Sequence, residues 1–417
     1  MALLIAAAAF AAAQSPAAEC GATLCYADNL APFFERLAAT RRDSGEPVHI
    51  VQIGDSHTAG DMITNGWREE LRRRYGHGGR GVLAAGRPYN GYLTWGVTAS
   101  QSAGWQVNSI FGSGYANYGP PIGISGFSQT VRAQGETLGI SADTPDQSFD
   151  RIIVCALKQP GGGSLTMRIG FETARFDLDA PARRTECRTL DSAYPQLGAS
   201  VTTLDDRVVT VTSFATMRKA GGVTLSNLGV SGSQLVHIAR SSDEVVAAEL
   251  AAYHPDLITL AFGTNEGFSQ QLIAADFEND LRAQVSRIRR LAGRDVPILL
   301  IGAPDANTRT RSTADNAGPP SPCPDPPGVS SGSEPWYTPT LLGEIRQRQR
   351  RVARDMGLGF WDWNAAMGGR CSAHRWRNQD PALMRGDHVH FNQSGGAQIG
   401  RMLFTDLERA AAAYISR

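Results

Sequence analysis

The sequence alternates short apolar runs with longer amphipathic stretches, and this alternation constrains the fold more than any other feature. The run VHIVQIG at 48–54 is apolar enough for a strand buried on both faces. Apolar residues then recur at helical spacing: Met62, Ile63, Trp67, Leu71 and Tyr75. After residue 222 the succession returns, with predicted pairs of VTLSNLG and helix 233–252, DLITLAFG and 271–292, VPILLIGAP and 339–356, and GLGFWDW and 394–415. Five such pairs predict a doubly wound α/β sheet.

The segment 98–221 has a different character. It is rich in Gly, Ser and Thr, has no clear helical pattern, and contains the polar-alternating runs FDRIIVCAL, GSLTMRIGFETARFDL and DDRVVTVTSFATM. Such runs, separated by turn residues, are typical of short strands. At 417 residues the chain is long enough for two domains. We therefore expect an inserted all-β module at 98–221, which divides the α/β part into 45–97 and 222–415.

The charge and the N-terminal segment indicate where such a protein acts. The 40 basic and 40 acidic residues cancel, so no electrostatic footprint for nucleic acid or an anionic membrane is present. Residues 1–18, MALLIAAAAFAAAQSPAA, are typical of a secretory signal peptide, with an uncleaved anchor as the alternative. The stretch is shorter than the ~20 residues of a transmembrane helix. We expect a soluble periplasmic or secreted protein without stable membrane insertion after signal cleavage.

The cysteines agree with an oxidising compartment. Their number is even, and local pairing would join Cys20 to Cys25, Cys155 to Cys187 and Cys323 to Cys371. Six cysteines permit 15 pairings, so the local scheme is a preference. No C-x-x-C or clustered Cys/His spacing indicates a metal site. The proline-rich stretch 303–337 is too long for an ordinary connection, which predicts a functional loop near the site or a mobile flap.

Chemically active side chains follow the predicted strands. Ser56 stands just after 48–54 and would open the next helix, whose unpaired N–H groups can stabilise an oxyanion. The loop NLGVSGSQ offers the N–H of Gly232, and FGTNEGF offers the amide of Asn265. Near the C-terminus, RGDHVHFNQSGG places Asp387 three residues before His390. This spacing lets the carboxylate orient an imidazole that takes the proton of Ser56.

Each of these signals also has a structural alternative. Asp and Ser at a strand end are ordinary helix N-caps, glycines turn the chain, Asn caps helices, and a lone His is often a structural group. The four signals gain weight because all fall at loops that follow separate strands, where ligands bind in an open parallel sheet.

Together the four segments resemble the SGNH (GDSL-type) hydrolase family, whose four blocks carry Ser, Gly, Asn and His in this chain order. The matching residues are Ser56 in GDS, Gly232 in GVSG, Asn265 in GTNE and His390 in DHVH. The resemblance implies a flavodoxin-like three-layer α/β/α fold over 45–97 and 222–415. It also implies catalytic Ser56, Asp387 and His390, and an oxyanion hole formed by Ser56, Gly232 and Asn265.

One departure is His57, where many members carry Leu. His57 could be a core histidine, a substrate contact or an exposed residue, and the structural roles are preferred.

Within the family, GDSHTAGD, GVSGSQL and FGTNEGF look most like the exported peptidoglycan O-acetylesterases of Gram-negative bacteria. Those proteins also carry a β-rich module, similar to a carbohydrate-binding module, after the first block. The aromatic residues of this region would either stack on sugars or fill a core or a domain seam; they are Tyr89, Tyr92, Trp95, Trp105, Tyr115 and Tyr118.

The resemblance implies a serine esterase that removes O-acetyl groups from an acetylated cell-wall polysaccharide, most simply peptidoglycan, through an acetyl-enzyme. Neither a metal nor a nucleotide cofactor is expected, since the glycines lack the G-x-G-x-x-G pattern. The alternatives are an O-acetyltransferase that uses the same acetyl-serine, an esterase for xylan, sialate or another glycan, a lipase-like enzyme, and a non-catalytic glycan-binding protein.

Overall fold

The computed structural model describes residues 20–40, 45–310, 321–329, 332 and 334–417. The predicted signal peptide at 1–18 lies outside the described residues, as does part of the proline-rich stretch 303–337. Among the described residues, no helix has the length and apolar character needed to cross a membrane.

Strands and helices cover most of the described chain. The strands are β1 (Cys20–Gly21), β2 (Leu24–Cys25), β3 (Val48–Gly54), β4 (Gly81–Leu83), β5 (Val97–Gln101), β6 (Gln106–Ser109), β7 (Phe127–Val131), β8 (Thr137–Ala142), β9 (Phe149–Lys158), β10 (Ser164–Ile169), β11 (Glu172–Asp177), β12 (Arg184–Gln196), β13 (Gly198–Thr203), β14 (Val209–Met217), β15 (Val223–Gly229), β16 (Leu257–Ala261), β17 (Ile298–Ile301) and β18 (Gly359–Trp361). The α-helices are α1 (Ala31–Ala39), α2 (Ser56–Ala59), α3 (Met62–Tyr75), α4 (Asp243–Tyr253), α5 (Thr264–Gly267), α6 (Ala274–Ala292), α7 (Thr340–Met356), α8 (Trp363–Ala366), α9 (Ser372–Asn378) and α10 (Gln393–Ile415). Short 3₁₀ helices span Ala27–Leu30, Pro145–Gln147 and Leu235–Arg240.

The α/β part is built on a seven-stranded sheet with the order β1-β2-β18-β17-β16-β3-β15. The strands from β18 to β15 are parallel, and the hairpin of β1 and β2 joins β18 antiparallel at the edge. Numbered along the chain, the five parallel strands lie in the order 2-1-3-4-5, which is the flavodoxin-like arrangement. The predicted flavodoxin-like sheet is therefore confirmed.

Helices cover both faces of this sheet. On one face α1, α3 and α10 pack together, with Trp67 and Leu403 in the shared core. On the other face α4, α6 and α7 bury residues such as Leu281 and Val352. Every residue of β3, β15, β16 and β17 is buried, as expected for strands with helices on both sides. The α/β part thus has the three layers that the family resemblance implies.

Two predicted helices are interrupted. The stretch 233–252 is a 3₁₀ turn followed by α4, because the Ser241 hydroxyl donates to the carbonyl of Ile238 and Ser242 is extended. The long helix expected after β3 is also divided: α2 has only one turn, and Asp61, with φ 51°, separates it from α3. Ser56 does open the helix that follows β3, but this helix is the short α2, and the residues at helical spacing from Met62 to Tyr75 form the separate helix α3.

The middle of the chain forms two antiparallel sheets that pack face to face. One has the order β11-β10-β13-β8-β5, and the other has the order β12-β9-β14-β7-β6 with β4 paired to β14. Their shared core includes Ile152 and Val154 of β9 and Leu138 of β8. The domain boundaries remain a proposal, and the pairing of β4 favours an insert that begins near residue 81 rather than at residue 98.

The β part is fixed to the α/β part through α4. The outward residue Ile153 of β9 packs into the core that contains Leu250. The fully buried Glu249 of α4 accepts hydrogen bonds from Thr212 at 2.7 Å and from Ser213 of β14 at 2.5 Å. Burial raises the pKa of Glu249 although these donors oppose the shift. A buried carboxylate with partners from β14 fixes the angle between the two parts.

The disulfides follow the local scheme predicted from the sequence. They join Cys20 to Cys25, Cys155 to Cys187, and Cys323 to Cys371. The third links the proline-rich stretch to the residue before α9.

Candidate active site

The turn after β3 carries the candidate nucleophile. β3 lies between β15 and β16, so the loops after these three strands meet at one edge of the sheet. Gly54 permits the turn, because a Cβ there would lie 2.2 Å from Thr58 Oγ1 and 2.7 Å from the carbonyl of Ala261. The Asp55 carboxylate then caps α2 by accepting the N–H of His57 at 2.9 Å. Ser56 is consequently held at the start of α2 by backbone packing and a cap.

The structure brings Ser56, His390 and Asp387 together. Ser56 Oγ lies 2.9 Å from His390 Nε2, and His390 Nδ1 lies 2.8 Å from Asp387 Oδ2. The side chains of His390 and Asp387 are 38% and 47% exposed, so the pair faces solvent from the loop before α10. With Nδ1 donating to the carboxylate, Nε2 is left free to accept the hydroxyl proton of Ser56.

Asp387 is held in its ionised form by the turn that contains it. Its Oδ1 accepts the backbone N–H groups of Val389 at 3.0 Å and His390 at 2.9 Å. Partial burial alone would raise the pKa of Asp387, but these N–H groups and the His390 side chain lower it below its ordinary value. The carboxylate can therefore orient the imidazole and stabilise its protonated form.

Three hydrogen-bond donors lie in the loops that follow β3, β15 and β16. Within the described part of the chain, the N–H groups of Ser56 and Gly232 have no acceptor. Gly232 has φ +77°, and a Cβ there would meet the ring of Phe111 at 2.8 Å, so the loop requires glycine. The Nδ2 of Asn265 donates to the carbonyl of Ser233 at 2.8 Å, which leaves one amide hydrogen for a ligand.

Glu266 joins the loops that carry Gly232 and Asn265, and the sequence pattern assigned it no role. The side chain is 2% exposed and accepts the N–H of Leu235 at 2.7 Å and that of Gly263 at 3.0 Å. Burial raises its pKa to about 7. The position of Glu266 directly after Asn265 is the only signal in the sequence, since its partners are backbone N–H groups.

His57 is a buried residue that joins the nucleophile turn to the loop of His390. Its Nε2 lies 2.9 Å from the carbonyl of Val389, and its Nδ1 lies 3.3 Å from Asp55 Oδ1. Nε2 faces the Val389 carbonyl, and Nδ1 faces the Asp55 carboxylate as well as the Thr264 hydroxyl at 3.5 Å. The carbonyl and the carboxylate favour the protonated ring. Burial alone would lower the pKa of His57, but Asp55 and the Val389 carbonyl raise it above its ordinary value of 6.5. The preferred structural role therefore agrees with its position.

The raised pKa of His57 predicts that its contribution to stability depends on pH. A histidine whose pKa is raised by folding stabilises the protein fully below about pH 6.5, and the contribution is lost as the pH rises through the folded value. We expect His57→Gln to lower the free energy of unfolding more at about pH 5.5 than at about pH 9. Denaturant unfolding of both proteins at the two pH values measures the difference. An equal loss at both values would contradict a buried imidazolium.

Asp61 organises a second buried network behind the nucleophile turn. Its carboxylate pairs with Arg68 Nη2 at 2.7 Å and Arg80 Nη2 at 2.9 Å, and all three side chains are at most 1% exposed. It also accepts the N–H of Trp95 at 2.8 Å and the amide of Asn227 at 2.8 Å. Burial alone would raise the pKa of Asp61, but the two guanidinium groups lower it well below its ordinary value. The network holds α3, β15 and the segment before β5 together.

A cleft of about 290 Å³ opens above Ser56 and His390. Its walls combine polar and apolar groups, and the apolar part includes Met62, Phe391 and, from the segment between β4 and β5, Tyr89. Two other aromatic residues that the sequence offered for sugar stacking or core packing differ in position: Trp105 is buried in the β part, whereas Tyr118 is 99% exposed. The described ends of 303–337 also lie near the site, because Trp336 stacks on His388 at 3.6 Å between ring centroids.

Comparisons with known proteins agree with this geometry. The model of the GDSL-like lipase/acylhydrolase family matches residues 195–398, slightly less than half of the chain; the match includes Gly232, Asn265, Asp387 and His390 but not Ser56. No curated protein matches the chain. The solved structure of a peptidoglycan O-acetylesterase is similar with a TM-score of 0.73 and 26% identity, over 94% of this chain and 99% of that one.

Two further solved structures are more distant. A family two carbohydrate esterase from Clostridium thermocellum has a TM-score of 0.31 and 11% identity, over 74% of this chain and 98% of that one. A salicylyl-acyltransferase of a tetracycline biosynthetic pathway has a TM-score of 0.33 and 14% identity, over 79% of this chain and 96% of that one. Neither similarity is high enough to support a conclusion.

Residues 195–398 match the GDSL-like lipase/acylhydrolase family model, and nearly the whole chain is similar to a peptidoglycan O-acetylesterase. These two matches support an SGNH (GDSL-type) esterase that resembles peptidoglycan O-acetylesterases.

Proposed function

We propose that this protein removes O-acetyl groups from a cell-wall polysaccharide, with peptidoglycan as the favoured substrate. One observation carries the proposal: Ser56 Oγ, His390 and Asp387 form a continuous hydrogen-bonded chain at 2.9 and 2.8 Å below an open cleft. Similarity to a peptidoglycan O-acetylesterase over nearly the whole chain supports the choice of substrate. The catalytic residues in this proposal are Ser56, His390 and Asp387.

The reaction has two steps in which His390 moves the proton. In the first, His390 Nε2 takes the proton of Ser56, and Oγ attacks the acetyl carbonyl. The tetrahedral intermediate collapses to acetyl-Ser56, and the imidazolium gives its proton to the departing sugar oxygen. In the second, His390 takes a proton from water, the hydroxide attacks acetyl-Ser56, and acetate leaves while the proton returns to Ser56. Asp387 stabilises the imidazolium in both steps.

The oxyanion of each intermediate would be held by the N–H groups of Ser56 and Gly232 and by the free amide hydrogen of Asn265. Removal of one such donor typically costs about 10²–10³ in kcat. We therefore expect Asn265→Ala to lower kcat by about 10²–10³ with little change in KM, since the contact strengthens only in the transition state. Steady-state kinetics with an acetyl ester measures both constants. A variant that raises KM while kcat stays near the wild-type value would remove Asn265 from the oxyanion hole.

An O-acetyltransferase is the second candidate, because the same acetyl-Ser56 can pass its acetyl group to a sugar hydroxyl instead of water. Solvent reaches the exposed His390, and this openness favours water as the acceptor. Acetate production without an added acceptor distinguishes the two reactions. Esterases for xylan or another glycan remain a third candidate, since they differ only in the polymer.

We propose that the two-sheet β part is an insert that contacts the glycan.

We also propose that the protein acts outside the cytoplasm. The three disulfides and the acetylated cell-wall substrate support this localisation. The cysteine pairing supports a periplasmic or secreted protein without depending on residues 1–18.

The test is acetate release from O-acetylated peptidoglycan, with acetylated xylan alongside and the Ser56→Ala protein as the blank. We expect selective release from peptidoglycan. Release from xylan alone would retain the serine esterase but exclude the cell-wall role. No release from either polymer would contradict the proposed function.

A further inference from the structure

Arg385 is a cationic residue of the active-site cleft that has no function in the two-step reaction. It lines the cleft together with Ser56 and His390. Its side chain makes no hydrogen bond or ion pair with any residue in the described ranges, whereas arginines elsewhere, such as Arg282 and Arg287, pair with carboxylates. Its guanidinium therefore has no partner in the described part of the chain and is available to a ligand of the cleft.

The backbone of Arg385 is nevertheless fixed. Its N–H donates to the carbonyl of His390 at 2.8 Å, and its carbonyl accepts the N–H of His388 at 3.2 Å. Met384 and Phe391 pair across the same loop as an isolated antiparallel bridge. Arg385 and His390 thus begin from one rigid turn, so a group bound by the guanidinium has a defined position relative to Ser56.

The charges around the cleft favour an anionic ligand. None of its lining residues in the described part of the chain is Asp or Glu. The nearest carboxylate in sequence, Asp387, is already bonded to His390 and to two backbone N–H groups. A guanidinium presents a planar fork of donors that fits the two oxygens of a carboxylate.

We infer that Arg385 binds a carboxylate of the acetylated glycan, and that the enzyme thereby prefers acidic over neutral glycans. The inference rests on the proposed function and narrows its substrate class. A muramic acid residue carries a lactyl carboxylate, free or as the attachment point of an acidic peptide, whereas acetylated xylose and glucose units carry no carboxylate. Tyr89 and Leu93, which also line the cleft, offer apolar surface to the sugar ring.

A competition experiment tests the carboxylate site without depending on the natural polymer. Hydrolysis of 4-nitrophenyl acetate by the full-length protein is measured with N-acetylmuramic acid or with N-acetylglucosamine, which lacks the carboxylate, as competitor. We expect N-acetylmuramic acid to inhibit the wild type at concentrations about 10- to 100-fold lower, the range expected for a charged hydrogen bond. Equal inhibition by the two sugars would overturn the inference.

Variants separate the charge at Arg385 from general effects. The preference is the ratio of the inhibition constants of the two sugars, measured within each protein. We expect Arg385→Gln to lose the preference for N-acetylmuramic acid, while Arg385→Lys keeps part of it. Arg401→Gln removes an equal charge from the exposed side of α10 and should behave as wild type. Unchanged competition in Arg385→Gln would also overturn the inference.

The same variants then act on O-acetylated peptidoglycan. Arg385→Gln should lower kcat/KM on this polymer by about 10- to 100-fold, and amidation of the polymer's carboxylates should lower the wild-type value similarly. If the wild-type protein does not act on peptidoglycan but binds N-acetylmuramic acid preferentially, peptidoglycan is not the substrate, while the carboxylate site is retained. If the protein acts on peptidoglycan and the rate does not depend on Arg385, the proposed substrate is retained, while the carboxylate site is contradicted.

Discussion

Replacement of Ser56 by alanine should lower kcat for an acetyl ester by about ten-thousandfold or more, the loss typical of a missing nucleophile in a serine hydrolase. Ser56 supplies the only oxygen within hydrogen-bond distance of His390 Nε2 among the described residues. Without that oxygen no acetyl-enzyme can form, and only direct attack by water remains.

The fold should survive this change. The turn is determined by Gly54, by the cap of Asp55 and by the contacts of His57, and the Ser56 side chain contributes a single hydrogen bond. Loss of one such bond costs about 1 kcal/mol. Thermal unfolding of Ser56→Ala should therefore lie within a few degrees of the wild-type midpoint. Retained turnover in a correctly folded variant would remove Ser56 from the mechanism.

Replacement of Asp61 by asparagine should destabilise the protein more than any of the other substitutions. Arg68 and Arg80 are fully buried and share the Asp61 carboxylate as their charged partner. Removal of one partner of a buried ion pair costs about 3–5 kcal/mol, because the remaining charge is left uncompensated in a medium of low polarity. Asparagine keeps the shape of the side chain and some of its hydrogen bonds, so the loss of unfolding free energy measures the contribution of the negative charge. Denaturant unfolding at about pH 7 measures it.

Asp243 provides a matched control. It also lies between two arginines, Arg287 at 2.6 Å and Arg290 at 2.8 Å, but its side chain is 48% exposed. Water replaces exposed ion pairs, which contribute about 0–1 kcal/mol. Asp243→Asn should accordingly cost less than about 1 kcal/mol. Similar losses for the two variants would show that burial of the Asp61 cluster is not the cause.

The sequence predicted the fold where the pattern is local. The apolar run at 48–54 and the amphipathic stretch at 394–415 become β3 and α10, because buried strands and helix faces leave a periodic signature. The break between α2 and α3 was not predicted, since it depends on a left-handed Asp61 whose carboxylate is held by Arg68 and Arg80. Those partners lie 7 and 19 residues away and have no spacing that a periodic pattern could detect.

The candidate site, like the fold, was predicted from the sequence only in part. Ser56, Gly232 and Asn265 could be selected because each follows a strand end, and the parallel topology brings such loops to one edge. His390 could be selected because it stands three residues after Asp387 and just before the last helix. The groups that fix their geometry were not predicted as such. His57 binds the carbonyl of Val389, and Glu266 binds backbone N–H groups, and a backbone partner leaves no mark in a sequence.

The contacts of His57 also connect the two halves of the candidate mechanism. One nitrogen faces Asp55, directly before the nucleophile, and the other contacts Val389, directly before His390. The nucleophile turn and the acid/base loop therefore share one buried histidine. Because a small displacement of a catalytic group can cost a large factor in rate, this link sets the distance on which proton transfer depends.

The most direct measurement is the detection of the acetyl group on Ser56 during turnover. The enzyme is mixed with excess acetyl ester, quenched in acid within the first turnovers, digested, and examined by mass spectrometry, with Ser56→Ala treated in parallel. The proposed mechanism predicts one added acetyl group on the wild-type peptide that contains Ser56, and none on the corresponding peptide of the variant. An acetyl group on another residue that forms and decays at the turnover rate would contradict the assignment of Ser56 as the nucleophile.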